Sequence, residues 1–121
     1  NARYTVENDK LATLSMDFAI AIVKLAKRLK EKHENVISNQ ILRSGTSIGA
    51  NIREAKYAHS RADFIVKMQI ALKEANETDY WLELLFRTDH INELCYKELS
   101  TLCSKIRRYV LISSINTAKL N

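Results

Sequence analysis

Four residues in the middle of the chain have types and spacing that suit chemistry: Arg43, Ser47, Asn51 and Glu54, separated by four, four and three positions. On a helix that spacing lines them up on one side, a guanidinium, a hydroxyl, an amide and a carboxylate in a row. Two kinds of work suit such a row. Ser47 with Glu54 could begin an acyl-transfer site, but a serine nucleophile needs an adjacent base, and no histidine stands at helical spacing from it. The expected role is instead a satisfied polar network that fixes helix register or an interface. Glu74 and Glu77 lie at the border of a later helix, placed to pair with basic residues of a neighbour and join that network.

The other chemistry-bearing residues point no more strongly to catalysis. His59 falls in a turn and His90 between helices, outside the helical setting in which a histidine and a carboxylate three positions apart share a metal. The stretch RSGTSIGAN (Arg43 to Asn51) holds both glycines of the chain, yet it lacks the G-x-x-x-x-G-K-[ST] spacing of a phosphate loop and follows no strand. Cys95 and Cys103 are eight residues apart on one predicted helix, about 12 Å at 1.5 Å rise per residue, too far for a mutual disulfide. Free, core-facing thiols fit a reducing cytoplasm. The expectation is a protein that is not an enzyme, with no catalytic residue, no cofactor and no metal.

Charge offers a different chemistry. The formal net charge is +5, and the positive residues cluster: Lys24, Lys27, Arg28, Lys30 and Lys32 together, then Arg53 and Lys56. Cations near a helix C-terminus interact favourably with its dipole, which accounts for part of the first group. The alternative is a patch for a polyanion. On that reading Lys24, Lys27, Arg28, Lys30, Arg53 and Lys56 would contact phosphates of RNA or DNA, independently of sequence and with steep salt dependence. Base stacking is not expected, because Tyr57 is the only aromatic near these charges.

The elements that carry these residues are helices. A chain of 121 residues with no proline and two glycines lacks the punctuation of β-hairpins. Apolar residues at spacings of three and four predict helices over about 9–32, 36–58, 61–87 and 93–119, joined by short turns. That is an all-α, antiparallel up-down-up-down four-helix bundle in a single domain. The core stripes are Leu11, Leu14, Phe18, Ala21, Leu25 and Leu29; Ile37, Ile41, Ile48, Ile52 and Ala55; Phe64, Met68, Ala71, Ala75, Thr78, Leu82 and Leu85; and Leu94, Cys95, Leu99, Leu102, Ile106, Tyr109 and Val110. Asn35 or Ser38 would cap the second helix, Ser60 the third and Asn92 the fourth. The fourth helix reads as outermost with a polar back, and its tail SINTAKLN as frayed.

Two helices carry a second apolar group. Helix one adds Ala12, Met16, Ala19, Ile20 and Val23, and helix three adds Val66, Ile70, Trp81 and Leu84. Leaving such patches in water usually marks a partner surface, so Ile20, Val23, Val66, Ile70, Trp81 and Leu84 are candidates for an interface between copies. On helix two, Ser44, Gly45, Thr46, Ser47, Gly49 and Ala50 form a face of small residues. Each interior glycine costs about 1 kcal/mol of helix propensity, so close approach of another helix, of this chain or of a second subunit, should cover this face. No apolar run is long enough to span a bilayer and no signal peptide is recognisable, so a cytoplasmic protein without a membrane partner is expected.

RSGTSIGANIREA, followed by a serine-capped helix containing IALKEANETDYWLELL, resembles the four-helix-bundle proteins encoded in intervening sequences of bacterial 23S ribosomal RNA genes. The resemblance covers nearly the whole chain. It is most specific at Arg43, Ser44, Ser47, Asn51, Ile52 and Glu54, and at Ile70, Ala71, Glu74, Glu77 and Leu85. Where the family often has glycine after the helix-two glutamate, this chain has Ala55, and Gly49 stands where a proline or alanine is common. The resemblance implies a bundle that assembles into a homopentamer and has no established enzymatic activity. It also implies kinship with accessory proteins of diversity-generating retroelements, which associate with a reverse transcriptase and with nucleic acid. A polymerase-like protein partner is therefore an expectation beside RNA or DNA, the alternative being a scaffold or adaptor with no direct nucleic-acid contact.

Overall fold

Four helices form the molecule: α1 Thr5–Glu31, α2 Val36–Lys56, α3 Arg61–Arg87 and α4 Glu93–Ala118. The computed structural model describes residues 5–119, with side chains from Lys10 onward. α1 packs on α2, α2 on α3 and α3 on α4, and α4 closes back on α1. The connections are short, which makes consecutive helices antiparallel and gives the expected four-helix bundle.

One helix end departs from expectation, and another lies within a residue of it although fraying was expected there. α1 begins at Thr5 rather than near Asp9, and α4 continues to Ala118, so most of the tail expected to fray is helical. Ser113 and Thr117 are buried on the inner side of α4, so its last turns are docked against the bundle. Leu120 and Asn121 lie outside the described residues.

The turns explain how a chain this poor in glycine reverses direction. At the end of α1, His33 takes φ of 65°, its N–H donates to the Lys30 carbonyl, and the Glu34 N–H donates to that of Leu29 at 2.8 Å. Asp89 does the same after α3, with φ of 62° and the His90 N–H donating to the Leu85 carbonyl at 2.9 Å. Both are Schellman motifs built without the usual glycine. Ser60 and Asn92 cap as expected, accepting from Asp63 N and Cys95 N at 3.1 and 2.8 Å. The start of α2 is a correction. Asn35 makes no side-chain cap bond, Ser38 is buried and donates to the Ala26 carbonyl at 2.9 Å, and the Glu34 carboxylate accepts from Ile37 N at 2.9 Å.

The core follows the predicted stripe closely on α3, where all seven residues are buried. Burying Phe64 or Leu82 in this way is worth about 1.5–3 kcal/mol each. On α1 the buried side is rotated. Ile22, Ser15 and Ala26 are buried, while Leu14 and Ala21 are only half-buried. Gly45 is the cause: a Cβ built on it would sit 2.8 Å from Ile22 Cγ2, so the α2 backbone presses directly on α1. Gly49 faces Ser15 less tightly, a Cβ there standing 3.3 Å from Ser15 Oγ. The glycines of the small-residue face are thus covered from within the chain. Along α4, Leu94 is exposed rather than core, and Leu111, Ile112 and Ile115 break the polar back that was expected. Buried Cys103 takes a core position instead, its Sγ 3.4 Å from the Ala75 carbonyl.

Candidate functional site

The row Arg43, Ser47, Asn51, Glu54 shares one side of α2 but does not form one network. Arg43 reaches across to α3, where Nη1 donates to Glu74 Oε2 at 2.7 Å and Nη2 to Glu77 Oε2. Glu77 also accepts from the Trp81 indole N–H at 3.0 Å. Just inside, the Thr78 hydroxyl lies 2.8 Å from the Ser44 hydroxyl and 2.8 Å from the Glu74 carbonyl. Ser47 and Asn51 turn back on their own helix, donating to the carbonyls of Arg43 and Ser47 at 2.7 and 2.8 Å. Glu54 pairs with Lys67 at 3.2 Å. Ser47 and Glu54 are therefore engaged separately, which removes the one arrangement that resembled a nucleophile and its acid/base partner.

Electrostatics of this cluster follow from the geometry. The Trp81 N–H and then Arg43 hold the Glu77 carboxyl below its ordinary value. Hydrogen bonds to Glu77 and then Glu74 hold the Arg43 guanidinium charged. Glu74 is nearly buried whereas the Arg43 side chain is half exposed, so the fork closes over an acidic group that would otherwise stand alone. The cluster is a register lock between α2 and α3. Glu74 and Glu77 find their basic partner within the chain. Sequence reasoning placed Ser44 among the small residues and Thr78 in the seam; their hydroxyls at core positions were the signal for the buried part of the lock.

The apolar interface candidates are divided between α1 and α3. Ile20, Val66 and Ile70 are exposed, while Val23, Trp81 and Leu84 are half-buried. The second apolar group of α1 borders a shallow groove in which Ala12, Ser15, Met16 and Ala19 face Thr46, Gly49, Ala50 and Arg53 of α2.

The six cationic candidates do not converge within one chain. Arg53 and Lys56 lie beside Ala12, near the start of α1. Lys24 is twelve residues further along, about 18 Å at the helical rise. The group at the end of α1 is exposed throughout. Lys24 and Arg28 border a hollow shared with the start of α4; Lys27, three residues from Lys24, shares their outer face of α1, and Lys30 lies at its edge. The result is a cationic strip along the outer side of α1 at one end of the bundle, the collar. No ion pair joins Lys24, Lys27, Arg28 or Lys30 to a carboxylate among the described residues, in contrast to Arg43, Lys67, Arg87, Lys97 and Arg107. His59 is exposed in the α2–α3 turn, and His90 lies between Thr88 and Glu34, its Nε2 3.8 Å from Glu34 Oε2. Among the described residues no three His, Cys, Asp or Glu side chains come together as a metal site, and no helix is long and apolar enough to cross a membrane.

A family model described as 23S rRNA-intervening sequence protein matches residues 7–111. The chain belongs to that family. It is also similar to a solved structure, a protein of unknown function from the S23 ribosomal protein family of Bacteroides thetaiotaomicron, with 52% identity and a TM-score of 0.86. That match covers 88% of this chain and 96% of the other. No curated protein matches the sequence. The register lock falls inside the family match, as does the collar.

Proposed function

We propose that this family member is a non-enzymatic, oligomeric helical bundle that associates with RNA or DNA through its basic surface. The carrying observation is the collar of Lys24, Lys27, Arg28 and Lys30: exposed cations with no carboxylate partner among the described residues. Unneutralised charge of this kind meets phosphates without reading sequence. Arg53 and Lys56, at the other end of α1, would contribute from a neighbouring copy or to a separate contact. Self-association is supported by exposed Ile20, Val66 and Ile70, apolar groups whose burial between copies would multiply the field of a single collar.

Filter binding to a structured RNA at rising salt tests the reading. Log affinity should fall linearly with log salt, by roughly 0.7–0.9 per phosphate contacted. Replacing Lys27, Arg28 and Lys30 with glutamate should abolish binding. Salt-independent binding, or none at low salt, would count against it. A second reading, an adaptor for a polymerase-like protein, is favoured by the exposed apolar Val66 and Ile70, on the same face of α3 as half-buried Trp81 and Leu84. On that reading the triple reversal leaves partner capture intact. Light scattering on the purified protein reports whether copies join, and how many.

A further inference from the structure

At the collar end of the bundle, a cleft of about 130 Å³ opens between the last turns of α1 and the first of α4. Its apolar lining is Leu25, Leu29 and Ile91, and its polar lining is Arg28, Lys32, His90, Asn92 and Cys95. Among the described residues no carboxylate lines it. His90 Nε2 lies 3.8 Å from one oxygen of Glu34, whose other oxygen accepts from Ile37 N at 2.9 Å. Glu93, on the first turn of α4, pairs with Lys97 outside the cleft. Neither Arg28 nor Lys32 has an ion-pair partner among the described residues, so both are available to a ligand.

We propose that this cleft binds a phosphate group. A concave site with an apolar base, a planar guanidinium, an ammonium and an imidazole suits a compact oxyanion held by charge-assisted bonds. The N-terminus of α4 at its edge adds a favourable partial charge. The small volume favours a phosphate with free oxygens over one flanked by two sugars. Such a group comes either from free orthophosphate or from the phosphorylated end of a nucleic-acid strand. The second source rests on the function proposed above; the first does not.

The test has two arms. In the first, orthophosphate is titrated at low ionic strength into isotopically labelled protein, with the His90 ring and Cys95 amide resonances observed. In the second, affinities are compared for two RNA strands of one sequence, one ending in phosphate and one in hydroxyl. The expected result is a saturable shift at His90 and Cys95, and a preference of about tenfold for the phosphate-ended strand, the scale of one charge-assisted contact. Arg28→Gln with Lys32→Gln should remove both. Lys27→Gln with Lys30→Gln, which removes equal charge outside the cleft, should weaken both strands alike and keep the preference. A shift without strand preference assigns the cleft to free phosphate. No shift together with no preference overturns the proposal, as does a shift that survives Arg28→Gln with Lys32→Gln in a protein of unchanged helicity. RNA binding that persists while the cleft stays silent separates this failure from failure of the collar itself.

Discussion

Gly45 lies so close to Ile22 that a methyl group on it would sit 2.8 Å from Ile22 Cγ2. Ile22 is wholly buried and β-branched, so its side chain has little freedom to move aside. Gly45→Ala should therefore destabilise the fold by about 1–3 kcal/mol through overpacking, more than the roughly 1 kcal/mol gained in helix propensity. Gly49→Ala meets the Ser15 hydroxyl at 3.3 Å and Ser15 Cβ and carbonyl oxygen at an ordinary contact distance of 3.5 Å, so it should be neutral or stabilising. Thermal denaturation of the two variants separates them.

The register lock predicts an acid-sensitive stability. Glu77 titrates below its ordinary 4.5 in the folded chain, so its contribution is complete above that value and is lost as pH falls through the folded one. Glu77→Gln should lower the urea midpoint near neutrality and flatten the fall of stability with acid. An acid limb as steep as that of the parent protein would contradict the assignment.

His33 and Asp89 both hold left-handed backbone at a helix end. Glycine adopts that conformation without a Cβ penalty, so His33→Gly should stabilise the protein by about 1 kcal/mol. Asp89→Gly should gain less, since aspartate tolerates the region better. Denaturant midpoints measure both.

The two thiols should differ sharply in reactivity. Cys103 is buried, and that burial, aided by Asp79, pushes its thiol up to about 12, whereas Cys95 is partly exposed. A thiol reagent should label Cys95 readily in the native protein and Cys103 only on unfolding. Mass spectrometry after brief labelling, with and without denaturant, counts the modified residues.

Much of this architecture is legible in the residues themselves. The heptad spacing of α3 places its core without error, and Ser60 and Asn92 announce their helices. Less legible are features that depend on how near two helices come. The glycines of α2 signalled close approach, but not that α1 would be the helix approaching, which rotates the buried side toward Ile22. Spacing put Arg43, Ser47, Asn51 and Glu54 on one side, but each side chain's choice between its own helix and the next depends on inter-helix distance. Arg53 and Lys56 share a sign with the collar residues, yet antiparallel pairing sends them to the opposite end.

Glu34 starts α2 through Ile37 N and also approaches His90 in the α3–α4 turn, so one carboxylate ties together the two loops at the same pole. Among the described residues the remaining loop, around Ala58 and His59, has no such tether between loops. Foreign sequence spliced between those two residues should leave the protein folded, whereas the same graft after His33 should not. That pole is where a tag or a fluorescent reporter can be carried without disturbing the rest.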